Sequence, residues 1–346
     1  MDKINKTVIY EDVSDLVINE VSPYPLLFNT IFKTKTWGGR KISNWVKSPM
    51  PDGKIGEAWL LSDRNDAQSI VQNGSLKGKS LGEIIKNFPK LILGKFSEEF
   101  KQFPLLIKIL DVKKNLSLQI HPSEKNIALI PNGENAKTEG WVILEAKAKS
   151  KIFAGLNPNI NDNNLRNINK KNIDKFVPSF KAKPDQAIFL NSGTIHSAQN
   201  NITMLEIQQN SDVTFRLFDW GRIDIETNKP RPLQIENAIK CIDFEQGKIA
   251  PIKPKIEVVF PILREQIFNC PFFIVWRIKA SHIFKIGEVD APTIIFCLKG
   301  KGTIKYRNID QKVQKGNLIL LPSSLGISTF NPKGSATIII IKIPVN

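Results

Sequence analysis

The stretch KPDQAIFLNSGTIH, Lys183 to His196, reads as a turn, a short apolar strand and a polar loop in succession. Lys-Pro-Asp is turn chemistry, and Ala187 to Leu190 is too short an apolar run for a helix but suits a buried strand. The same order recurs in KGNLILLP, Lys315 to Pro322, within a strand-rich stretch from Phe272 to Ile343. Outward from these two segments, β-branched and apolar runs bounded by Gly, Asn, Asp and Pro predict strands over Pro104–Leu110, Leu116–His121, Trp141–Ala146, Lys151–Gly155, Gln186–Leu190 and Met204–Gln208. Helical patterns are short: Ser80–Asn87, Leu91–Phe100, Ser123–Ile130 and two pieces between Asn161 and Lys175. No period of a solenoid or propeller repeats. The expected fold is mainly β, two domains of antiparallel sandwich or barrel type with a small helical insertion at about residues 80–100.

With 346 residues, 41% hydrophobic and 24% charged, the chain can bury more than one core, which excludes a disordered tail. The Pro- and Lys-rich GKIAPIKPKIE, Gly247 to Glu257, reads as a linker between a first domain, residues 1–250, and a second, residues 251–346. Lys and Arg number 49 against 33 Asp and Glu, a net +16 that favours anionic partners. No compact basic arm accompanies it, so no nucleic acid is expected. Three widely spaced cysteines, Cys241, Cys270 and Cys297, form neither a disulfide framework nor a cysteine metal site. Acidic residues interrupt MDKINKTVIYEDVSD where a signal peptide needs an apolar core, and no run is long enough to span a bilayer. The expectation is a cytoplasmic protein without membrane contact, either monomer or homodimer.

Only three histidines occur. In NLSLQIHPSEK, Asn115 to Lys125, the residues Ser117, Gln119 and His121 alternate with Leu116, Leu118 and Ile120, so a strand here turns a polar face inward or to solvent. His196 closes the loop after Ala187–Leu190, and AKTEGW holds Lys137 and Glu139 on one side of an extended segment. Gln119, His121, Glu139 and His196 together offer an amide, two imidazoles and a carboxylate, a set for a divalent ion, zinc first. Farther on, Glu206 and Gln208 share one face, Thr214 and Arg216 another, and the intervening NSD reads as a hairpin turn. Across it Glu206 and Arg216 could form an ion pair. His282 has no ligating neighbour and reads as structural, Gly300-Lys-Gly302 as a plain turn, and Trp37, Trp59 and Trp141 as core or cavity wall.

Lys183–His196 and Lys315–Pro322 resemble the second signature of cupins, which implies two cupin domains, each a jelly roll or double-stranded β-helix. QIHP at Gln119 to Pro122, KTEGW at Lys137 to Trp141, SGTIH at Ser192 to His196 and EIQQNSDVTFRLFDWGR at Glu206 to Arg222 resemble type I mannose-6-phosphate isomerases of the short bacterial form, as do WGGRKI from Trp37 and IGEAWLLS from Ile55. That resemblance implies one zinc ion per chain on Gln119, His121, Glu139 and His196. It implies Arg216 beside the reacting carbons, and Ser117, Lys137 and Lys125 toward the phosphate of a sugar phosphate. The implied reaction moves a proton between C1 and C2 of mannose 6-phosphate and fructose 6-phosphate through a cis-enediol. Glu206, Lys137 and a metal-bound water all qualify as its base. LFDWGR after Arg216 lacks the Gly-Thr-Pro-Lys loop of the long enzymes, and GENAKTE replaces their Asn-His-Lys-Pro-Glu. Two rival readings are a cupin Fe(II) dioxygenase, since two histidines and a carboxylate also suit iron, and a non-catalytic sugar-binding bicupin.

Overall fold

Alternating apolar and polar positions become strands with one face toward a core, and the computed structural model, which describes residues 22–224 and 227–345, arranges them in antiparallel sheets. The signal-peptide reading of residues 1–15 lies outside the described residues. One sheet runs Ile31–Gly39, Ile55–Leu61, Leu105–Val112, Ile202–Gln209, Glu139–Ala146, Ala187–Leu190. A second runs Phe215–Phe218, Leu118–Ile120, His196–Gln199, Lys151–Ala154, Ser179–Lys181. Neighbours far apart in sequence are the mark of a jelly roll, in which two sheets face each other.

The C-terminal part repeats the plan. Six strands run Lys255–Val258, Ile262–Asn269, Ile274–Ala280, Ala336–Lys342, Thr293–Lys299, Leu318–Leu321, and four run Phe284–Ile286, Ser328–Pro332, Lys301–Tyr306, Ile309–Gln314. The chain is mainly β with cupin architecture, as expected. Among the described residues no helix is long and apolar enough to cross a membrane.

The outer face of the first six-stranded sheet does not meet water. Leu105, Ile107, Leu205 and Ile207 share one hydrophobic cluster with Phe268, Phe273, Phe296, Ile339 and Ile341 of the C-terminal sheet. Each such buried side chain contributes about 1.5–3 kcal/mol, so the contact is a major part of the core. The sheets meet closely at Gly140, where a Cβ would lie 2.6 Å from the Phe268 ring. Behind the second sheet, Leu118, Ile120, Phe215 and Leu217 pack on Ala238 and Ile239 of the helix Ile235–Cys241, which the periodicity does not predict.

The helices Leu81–Asn87 and Pro89–Leu93 occupy the expected insertion, and Ser80 caps the first by accepting from the Glu83 amide at 3.1 Å. The pattern at Ser123–Ile130 folds as the 3-10 turn Glu124–Leu129. One expectation fails. Ile202–Gln209 and Phe215–Phe218 do not form a hairpin, because the first belongs to the six-stranded sheet and the second to the edge of the five-stranded one. The NSD segment crosses from wall to wall, pinned by Asn210 N–H on Pro104 O and Ser211 Oγ on Asn135 O.

Candidate active site

Strand register aligns the polar residues in rows. On the six-stranded wall Trp59 faces Lys108, Lys108 faces Glu206 and Glu206 faces Trp141, while Gln208 faces Glu139 in the next row. On the five-stranded wall Arg216 faces Gln119, and Gln119 faces His196. Cross-strand partners project to the same side, so each row lies on one face of its sheet. The rows meet across the barrel: the Trp141 and His196 rings stand edge to face at 5.3 Å.

Between the walls His121, Glu139 and His196 converge, with ligating atoms within 4.8 Å of one another and all three side chains buried. His121 Nδ1 lies 2.7 Å from Val213 O and His196 Nδ1 2.9 Å from Thr194 O. A carbonyl only accepts, so each Nδ1 carries the hydrogen and each Nε2 turns a lone pair inward. Those lone pairs face a carboxylate, at 3.4 Å from His121 Nε2 to Glu139 Oε2 and 3.3 Å from His196 Nε2 to Glu139 Oε1. His121 Nε2 and Glu139 Oε1 are buried without a hydrogen-bond partner, while Glu139 Oε2 has the Lys137 ammonium beside it. Acceptors turned on acceptors in a dry interior are costly unless a cation sits among them.

Burial holds both imidazoles neutral. It pushes His196 down to about 4, and burial followed by the Lys137 charge lowers His121 well below its usual value. Gln119 Oε1 accepts from Ser117 Oγ at 3.0 Å, and its amide nitrogen lies 3.3 Å from His196 Nε2. Half a turn of that amide presents Oε1 inward and lets Ser117 accept instead. Lys137 Nζ lies 2.9 Å from Glu139 Oε2, on a buried side chain. The residues fit a divalent cation.

Beside this set a buried charge network joins Glu206 to Lys108, Asp212 and Glu57, three residues that the sequence reading did not assign to the site. Lys108 Nζ is 2.9 Å from Asp212 Oδ1, 3.7 Å from Glu206 Oε2 and 3.8 Å from Glu57 Oε2. Trp141 Nε1 donates to Glu206 Oε1 at 3.0 Å, and Trp59 Nε1 to Glu57 Oε2 at 2.7 Å. Burial works against the Lys108 charge, yet the three carboxylates outweigh it and raise its pKa. Burial raises Asp212, and Lys108 then pulls it below the usual carboxylate range. Burial, then the Glu139 charge, pushes Glu206 up to about 7. One signal could have found this network: a single lysine in the apolar run LLIKILDV, opposite the acid of IGEAWLLS.

The expected Glu206–Arg216 ion pair is absent among the described residues, because the two lie on different sheets and Glu206 is engaged by Trp141 and Lys108. The Arg216 side chain makes no hydrogen bond there, and its Nε is buried without a partner. Ser117 and Lys137 join the cluster. Lys125 stays exposed on the turn Glu124–Leu129, with no bond to it among the described residues.

Residues 26–134 match the family model described as phosphomannose isomerase type I, catalytic domain. The mannose-6-phosphate isomerase ManA of Bacillus subtilis is 31% identical over 304 residues, 87% of this chain and 94% of that protein. The mannose-6-phosphate isomerase of Streptococcus mutans is 29% identical, covering 87% of this chain and 93% of its own. The crystal structure of the Bacillus subtilis mannose 6-phosphate isomerase superposes with a TM-score of 0.83 at 28% identity, over 92% of this chain and 99% of that one. With a relative this similar along most of both chains, the chain belongs to the type I phosphomannose isomerase family.

Proposed function

We propose that the chain interconverts mannose 6-phosphate and fructose 6-phosphate through a cis-enediol, with a divalent ion, zinc first, held by His121, Glu139, His196 and Gln119. The observation that carries this is the convergence of two neutral imidazoles and a carboxylate, with His121 Nε2 and Glu139 Oε1 buried without a donor, inside an isomerase barrel. An ion on those residues would polarise the sugar oxygens and order them for reaction.

Everything else falls to side chains. Glu206 is the favoured base: near 7, its carboxylate can take the C2 proton of the aldose and return it to C1 at neutral pH, while the hydroxyl proton moves between O2 and O1. Lys108, 3.7 Å away, steadies the carboxylate after each return. Arg216 supplies a fixed positive charge beside the enediol oxygens, and its unpartnered Nε leaves a donor for them. Lys137 and Ser117 hold Glu139 and Gln119 and reach substrate hydroxyls from there. Lys125 acts from outside as a charge drawing in the sugar phosphate.

Residues 251–346 form, in this reading, a second cupin that performs no chemistry and covers the first. The free cysteines favour the cytoplasmic location. A coupled assay on mannose 6-phosphate with and without chelator tests the function. Conversion lost on chelation and restored by zinc supports it, whereas oxygen uptake with no isomerisation selects the dioxygenase reading.

A further inference from the structure

Glu134 joins two parts of the chain that are far apart in sequence. It belongs to GENAKTE, Gly133 to Glu139, the segment whose other end supplies the carboxylate of the metal set. Arg64 forks onto it, with Nη1 donating to Oε2 at 2.9 Å and Nη2 to Oε1 at 2.6 Å. Oε2 also accepts from the Asp212 amide at 2.9 Å. Ser211 Oγ lies 3.1 Å from Oε2 but 2.7 Å from Asn135 O, and it has a single hydrogen to give. The Arg64 and Glu134 side chains are 12% and 17% exposed, so salt and water screen this bidentate pair little. Burial raises the Glu134 pKa, yet the Arg64 bond and then the Asp212 amide outweigh it and hold the carboxyl below its ordinary value.

One end of this contact is rigid and the other needs holding. Arg64 closes the two-residue strand Asp63–Arg64, which pairs with Ala67–Gln68. The buried Asp63 carboxylate accepts from the Phe103 amide at 2.7 Å and from Gln68 Nε2 at 2.9 Å, so Arg64 stands on a fixed base. Residues 210–214, by contrast, lie in no strand. Their Asp212 amide bonds the Glu134 side chain instead of a neighbouring strand. From this segment two groups reach the site. Asp212 Oδ1 holds Lys108 Nζ at 2.9 Å, and Val213 O takes the Nδ1 hydrogen of His121 at 2.7 Å. A segment without a ladder takes its geometry from such side-chain bonds, and here that geometry decides where an ammonium and an imidazole point.

We propose that Arg64 and Glu134 are positioning residues for the site, on the reading that it isomerises a hexose 6-phosphate. The fork fixes Glu134, Glu134 fixes the backbone at Asp212, and that backbone sets Lys108 against Glu206 and turns His121 toward the metal set. Neither residue acts on the substrate itself. Loss of the clamp leaves the strands paired, because residues 210–214 belong to none of them, but it frees the crossing segment to shift by the fraction of an ångström that a reacting geometry does not tolerate. Arg64 works only through Glu134, so the two residues behave as one unit.

The test is a cycle of Arg64→Ala, Glu134→Ala and the double variant, with Glu134→Gln as the conservative change. Glu134→Ala should lower kcat for mannose 6-phosphate by on the order of tenfold, the scale of one charge-assisted hydrogen bond, with KM near wild type. Arg64→Ala should show part of that loss, and the double variant no more than Glu134→Ala alone. Glu134→Gln keeps an oxygen for the Asp212 amide and should recover part of the activity. Competition for zinc against a chelator should show weaker retention by Glu134→Ala, because the carbonyl that orients His121 is no longer fixed. Wild-type kcat and zinc retention in Glu134→Ala would overturn the clamp, whatever its melting temperature, and so would additive losses in the double variant. If Glu134→Ala does not fold, Glu134→Gln and Arg64→Lys decide by the same two readouts, partial losses upholding the clamp and wild-type values overturning it. If wild type turns over no mannose 6-phosphate, the isomerase reading itself fails. Zinc retention then still decides the clamp: weaker in Glu134→Ala upholds it and equal overturns it.

Discussion

His121 and His196 each spend their only hydrogen on a backbone carbonyl, so both present a lone pair to Glu139. If a cation satisfies them, His121→Ala removes one of few ligands, and metal analysis should find the variant close to empty while the wild type holds one ion per chain. Full occupancy in the variant would refute the ligand set. Arg216→Ala should lower kcat by on the order of a hundredfold, the scale for a preorganised charge beside a developing oxyanion, with metal content and melting temperature near wild type. A raised KM at normal kcat would instead make Arg216 a uniform binder. Glu206 supplies a pH prediction for the metal-free protein. Burial and then the Glu139 charge push its carboxyl from an ordinary 4.5 up to about 7 in the fold, so between these limits the native chain holds a proton that the unfolded chain has released. Stability therefore falls as pH rises through that window, and Glu206→Gln should flatten the fall. Melting temperatures at pH 5 and pH 8 in chelator check it; equal slopes in both proteins would refute it.

At the scale of strands, alternation put Ser117, Gln119 and His121 on one face, whereas His196 was read from its loop and Glu139 from an extended segment, and the fold brings His121, Glu139 and His196 together. It could not tell which strands become neighbours. The NSD turn looked like a hairpin because a local pattern says nothing about the sheet that receives the next strand, and its polar groups bond Pro104 and Asn135 instead. Lys108 escaped for a related reason: in an apolar run it resembles an interruption until the register sets it opposite Glu206. The helix Ile235–Cys241 escaped because it is short and has no side-chain cap. The strand Glu139–Ala146 carries a further prediction. Gly140→Ala would drive a methyl into Phe268, which packs with Phe189 and Phe273, so the strand or the ring must shift. A loss of about 1–3 kcal/mol is expected by denaturant titration, together with weaker metal retention because Glu139 is the adjacent residue. A variant as stable as wild type would mean that the ring yields freely.

The two barrels share one core rather than lying side by side. Besides the mixed cluster, Leu26 exchanges backbone hydrogen bonds of 2.8 and 3.0 Å with Leu320, so the first described strand-like segment is sewn to the C-terminal sheet. A fragment ending near Gln246 would expose Leu105, Ile107, Leu205 and Ile207 to water and should aggregate or lose activity, as sedimentation and assay would report. A soluble, fully active fragment would refute the covering role of residues 251–346. The same shared core bears on how the protein is made. Ile339 and Ile341 are synthesised well after the strands they cover. Until Ala336–Lys342 emerges, the outer face of the first sheet is incompletely covered, so the nascent chain is prone to aggregate in that interval and gains there from a chaperone that holds apolar surface.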